Sequence, residues 1–93
     1  MLSISLFDLL VNSANRYPDK IAVIDGNQQV TYSELLQKVH QFSGYLSYLG
    51  VHEKDRVAIW HSKSIEEIVA IFAISGLRAT IISLNHQFYN QKK

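Results

Sequence analysis

Apolar positions recur at two distinct periods along these 93 residues. Leu6, Leu9, Leu10 and Ala14 share one stripe at helical spacing and predict a helix over about 6–16. Ser5 can cap it, with Asp8 three positions on as the return partner of a short capping box. Pro18 closes the segment, because the residue before a proline avoids the helical region. Thr31-Tyr32-Ser33-Glu34 is a second capping box and opens a longer helix. Leu35, Leu36, Val39, Phe42, Leu46 and Leu49 give that helix one wide inward face. Gly50 stands where a C-terminal cap is expected.

Between the two helices, Ile21-Ala22-Val23-Ile24 is a short apolar run and Asp25-Gly26 a turn dipeptide. The chain returns through Gln29, Val30 and Thr31, which predicts a hairpin. Its loop is Asp25-Gly26-Asn27 or longer, so the register stays open. Val57-Ala58-Ile59-Trp60 is apolar without alternation, the pattern of a strand covered on both faces. Ser64-Ile65-Glu66-Glu67 is a third capping box. The helix that follows carries Ile65, Ile68, Val69, Ile71, Phe72, Ala73 and Ile74, apolar nearly all round, and Gly76 is expected to stop it. Thr80-Ile81-Ile82-Ser83-Leu84 is another strand. The expected fold class is α/β: a hairpin followed by a parallel βαβ unit. Residues 1–86 would form a partial domain and 87–93 a polar tail in which Phe88 and Tyr89 are the apolar residues.

Composition narrows the function. The chain is 47% hydrophobic and 18% charged, which argues for folding rather than disorder. At this length the core must be thin. Nine basic against eight acidic residues leave no footprint for nucleic acid or an anionic membrane. The absence of cysteine excludes disulfides, thiol nucleophiles and Cys-ligated metal, and fits a cytoplasmic location. No Lys or Arg precedes Arg16 and Asp8 interrupts the first apolar run, so a signal peptide is not expected. Residues 68–84 approach the length of a membrane span, but Arg78, Gly76 and Ser75 interrupt them.

Candidate chemistry is sparse. Gly26, Gly44, Gly50 and Gly76 are scattered and form no phosphate loop. In the connection His61-Ser62-Lys63-Ser64, Lys63 and the helix start offer at most a weak anion site. His40 sits on a helix flank and His52 in a loop, and no histidine pair has metal-ligand spacing. His61 and His86 each follow a parallel strand, where ligands of open α/β sheets collect, and are the best functional pair on topology; two exposed loop histidines is the plainer reading. Glu66 and Glu67 favour the helix dipole rather than form a carboxylate pair. Tyr45 and Tyr48 read as packing residues, and Trp60 as core.

One family accounts for the order of these features. Leu6-Phe7-Asp8-Leu9-Leu10 and Tyr17-Pro18-Asp19-Lys20-Ile21-Ala22-Val23 resemble the opening of the AMP-forming acyl-adenylate enzymes. These include acyl-CoA synthetases, luciferases and the adenylation domains of non-ribosomal peptide synthetases. Val30-Thr31-Tyr32-Ser33-Glu34-Leu35 is similar to their first core motif. Leu49-Gly50-Val51, Asp55-Arg56-Val57-Ala58-Ile59 and Ala79-Thr80-Ile81-Ile82-Ser83-Leu84-Asn85 resemble three further segments. Lys54 and Arg78 stand where the family usually has glycine, Lys63 where an Asn is common, and Ser83 and His86 where it has prolines.

The resemblance implies an N-terminal fragment of an AMP-dependent ligase. The parent chemistry uses ATP and Mg²⁺ to form an acyl-AMP, then transfers the acyl group to coenzyme A or a phosphopantetheine thiol. The phosphate loop, acidic magnesium motif and adenylation lysine of the family lie downstream of the matched segments. No catalytic, cofactor-binding or metal-binding residue is therefore assigned, and a catalytically inactive, truncated fragment is expected. Its expected partners are further copies of itself or a full-length ligase. The alternatives are a non-catalytic interaction protein and a small membrane-associated protein.

Overall fold

The computed structural model describes residues 5–60 and 64–84. Seven elements follow in order: α1 (Leu6–Arg16), β1 (Ile21–Asp25), β2 (Gln28–Thr31), α2 (Tyr32–Tyr48), β3 (Arg56–Trp60), α3 (Ile65–Gly76) and β4 (Thr80–Leu84). Strands β1 and β2 form an antiparallel hairpin, and β3 and β4 a separate parallel pair with Arg56 opposite Thr80. The expected α/β class, hairpin and βαβ unit are all present.

Local chemistry sets the helix starts. The Asp8 N–H donates to Ser5 Oγ at 3.1 Å while the Ser5 N–H donates to Asp8 Oδ2 at 3.4 Å. In the tighter box at α2, the Thr31 N–H donates to Glu34 Oε1 at 2.8 Å and the Glu34 N–H to Thr31 Oγ1 at 3.1 Å. Each box satisfies amide groups that a helix start leaves without partners. At α3 the Glu67 N–H donates to Ser64 Oγ at 3.3 Å. Gly50, with φ 94°, follows the end of α2 and permits the Val51 N–H to reach the Leu46 carbonyl at 3.0 Å.

The three helices enclose the core. Leu10 of α1, Leu35, Val39 and Leu46 of α2, and Ile65, Val69, Ala73 and Ile74 of α3 are buried together with Val30 of β2. Helix α3 is the hub, packing against α1, α2, β1, β3 and β4. This is why it is apolar nearly all round: it meets neighbours on most of its circumference.

Four expectations need correction. The hairpin loop is two residues, Gly26-Asn27, because Asp25 pairs with Gln28. Gly26 has φ 61°, which suits the first position of a tight primed turn. The inward stripe of α1 is Phe7, Leu10 and Ala14, whereas Leu6 and Leu9 are about half exposed. Gly76 is the last residue of α3 rather than the residue beyond it, with Leu77 as the cap. A Cβ at Gly76 would sit 3.1 Å from the Phe7 ring, so its role is to let α1 approach. Finally, Leu49 and Tyr48 do not join the core. They sit at the end of α2, 57% and 86% exposed.

Candidate functional site

The residues that sequence singles out divide into three groups. His61, Lys63 and His86, with the tail beyond Leu84, lie outside the described residues, as does the side chain of Trp60. The second group has structural duties. Glu34 and Asp8 close capping boxes. Asp55, in the Asp-Arg-Val segment, accepts the His52 N–H at 2.7 Å through Oδ2 and holds the turn before β3. Glu66 and Glu67 occupy the first turn of α3, where its dipole favours negative charge. The third group is exposed: His52 in its loop, and His40, whose ring meets Phe7 edge-on at 5.8 Å between centroids.

Asp25 reads in the sequence only as part of a turn, yet the structure gives it a second role. From the hairpin tip it accepts the Ile65 N–H at 3.4 Å through Oδ2, so the hairpin helps cap α3. Nothing local in the sequence signals a contact between residues 25 and 65.

Two concavities stand out. Between α2 and α3, a groove of about 390 Å³ has Phe42, Ile65 and Val69 as its apolar floor, Tyr45 as a wall, and Lys38 and Glu66 among its lining. The Phe42 and Tyr45 rings lie 6.2 Å apart, tilted. Tyr45 therefore packs on one side, although it stays 55% exposed. A larger cleft of about 760 Å³ separates the start of α1 from the end of α3, with Ser5, Asp8, Ser75 and Arg78 among its polar lining. Ser5 and Asp8 are already bonded to each other there. Among the described residues, the Ser5 hydroxyl and Asp8 carboxylate are each committed to a backbone amide, and neither concavity pairs a free nucleophile with a base, which acyl or phosphoryl chemistry by side chains would need.

The Mg²⁺ of adenylate formation does not fit these residues. Among the described residues no three His, Asp or Glu side chains come together as a metal site. No polar or charged side chain among them is buried. What the arrangement provides is shape: a three-helix core with caps at each helix start.

The shape and the sequence agree with known proteins. The family model described as AMP-binding enzyme matches residues 10–92. The chain thus belongs to the AMP-binding enzyme family. It is 29% identical over 87 residues to the medium/long-chain-fatty-acid–CoA/3-oxocholest-4-en-26-oate–CoA ligase of Mycolicibacterium smegmatis, covering 94% of this chain. It is 39% identical over 70 residues, 75% of this chain, to a mycosubtilin synthase polypeptide of Bacillus subtilis. The chain spans 16% of the length of the first and 3% of the second. The NpsA N-terminal subdomain of Klebsiella oxytoca superposes with a TM-score of 0.83 at 25% identity, covering 87% of this chain and 21% of the subdomain. The fold is that of the opening part of an adenylation enzyme's N-terminal subdomain.

Proposed function

We propose that this chain is a scaffold segment of an ATP-dependent acid–thiol ligase and is catalytically inactive by itself. In the parent reaction a carboxylate attacks the α-phosphate of ATP, releasing pyrophosphate and forming an acyl-AMP. A thiol of coenzyme A or a carrier-protein pantetheine then displaces AMP. A fatty or related carboxylic acid as substrate, and the cytoplasm as the site of action, complete the reading. The observation that carries it is the occupation of the family-like residues: Thr31, Glu34 and Asp55 all hold backbone turns or helix starts. The scattered glycines, Gly26, Gly44, Gly50 and Gly76, form no phosphate loop to cradle and stabilise a transferring phosphoryl group.

The test is acid-dependent ATP–pyrophosphate exchange by the purified chain. No exchange above buffer is expected with fatty, aromatic or amino acids. Exchange that disappears on mutating His61 or Lys63 would overturn the reading.

A second reading is a non-catalytic interaction protein that binds a full-length ligase. It is favoured by the two separate two-stranded sheets, whose outer strands have no neighbours among the described residues. Capture of a purified full-length ligase by immobilised chain, lost on changing Ile82 to Lys, would favour it over the scaffold reading.

A further inference from the structure

Among the described residues, two other than glycine adopt the left-handed backbone region: Lys54, with φ 73°, and Arg78, with φ 60°. In that region a Cβ crowds the following carbonyl, a cost glycine avoids. The two residues are not independent. The Lys54 N–H donates to the Arg78 carbonyl at 2.9 Å, and the next rung runs from the Thr80 N–H to the Asp55 carbonyl at 2.6 Å. Both arms are tied to their own loops. The Asp55 N–H donates to the His52 carbonyl at 3.1 Å, and the Arg78 N–H to the Ser75 carbonyl at 3.0 Å. Lys54, Asp55, Arg56, Arg78 and Thr80 are exposed, and Ala79, which lies between the last two and packs against the core, is small, so separating the arms uncovers little apolar surface. The alternate face of the same strands, through Val57, Ile59 and Ile81, is packed against the core.

We propose that Lys54 and Arg78 form one strained clasp across the amino ends of β3 and β4, which opens as a unit before the rest of the chain unfolds. Strain on both arms and a shared hydrogen bond make opening of one arm release the other. Little buried area opposes it.

Hydrogen exchange on the full chain tests this at the amides of residues 54 and 80, with the amide of Val39 as the core reference. In the unsubstituted chain both clasp amides exchange faster than that of Val39. Lys54→Gly slows both clasp amides about five-fold, and Arg78→Gly does the same, since either removes left-handed crowding. The double substitution slows them about 25-fold if the two contributions add within one opening. Two exchange results overturn the proposal: each substitution slows only the amide on its own arm, or the clasp amides exchange no faster than that of Val39. Trypsin cleavage after Arg56 reads the same opening in all variants at low protein concentration. It slows in both single variants by the same factor. Unchanged cleavage in either also overturns the clasp.

Discussion

Helix α2 and the β3–β4 sheet both carry runs of large apolar residues, and the fold treats them differently. In α2, Leu35, Val39 and Leu46 are buried between α1 and α3. In the sheet, Val57, Ile59 and Ile81 face the core, while Ala58 and Ile82 are exposed on the other side. The difference lies in how many layers each element requires. An amphipathic helix is satisfied by neighbours on one face. A parallel strand apolar on both faces needs two layers, and α3 supplies one. Burial among the described residues is therefore concentrated where helix meets helix.

The largest expected effect sharpens that contrast. Leu35 is 2% exposed at the centre of the helical core. Leu35→Ala is expected to cost about 3 kcal/mol, within the usual range for a buried leucine. A urea titration measures it, and a loss below about 1 kcal/mol would show that the helices do not define the core. The next effect is smaller. Thr31→Ala removes the acceptor for the Glu34 N–H and is expected to cost about 1 kcal/mol. An unchanged unfolding midpoint would show that α2 is already frayed at its start. Gly76→Ala is expected to cost less than that, because a new Cβ 3.1 Å from the Phe7 ring makes the ring give by a few tenths of an ångström while alanine favours the helix. Pairing it with Phe7→Leu should recover most of the loss, and no recovery would place the strain elsewhere.

Much of this fold is legible in the sequence because its punctuation is local. Ser5, Thr31 and Ser64 mark the helix starts, and the structure begins each helix one residue later. What stays hidden depends on distant partners. Helix α1 is apolar at Leu6, Phe7, Leu9, Leu10 and Val11, so several faces compete. Phe7 wins because Gly76 leaves room for its ring. The cap that Asp25 gives α3 is invisible for the same reason. Lys54 and Arg78 are an intermediate case. The resemblance marks both as positions where glycine is usual, and the structure shows a left-handed backbone at each. As for a catalytic site, the sequence offers only His61 and His86 on topology, and both lie outside the described residues.

The smallest expected effect on stability separates the two regions most directly. Ile82 is 39% exposed on the sheet face away from α3, so its side chain adds little to the core. Ile82→Lys is expected to change the unfolding free energy by less than about 0.5 kcal/mol, as surface substitutions usually do. Its effect on association should be larger. An exposed apolar face beside open strand edges favours pairing between chains, and a lysine there opposes it by desolvation and like-charge repulsion. The unsubstituted chain is expected to bind a hydrophobic dye and to elute above monomer mass at micromolar concentration. The variant should bind less dye and elute closer to the monomer. Equal dye binding and elution in both would show that the exposed sheet face does not drive association. The half-exposed Leu6 and Leu9 of α1 would then be the surface to change next.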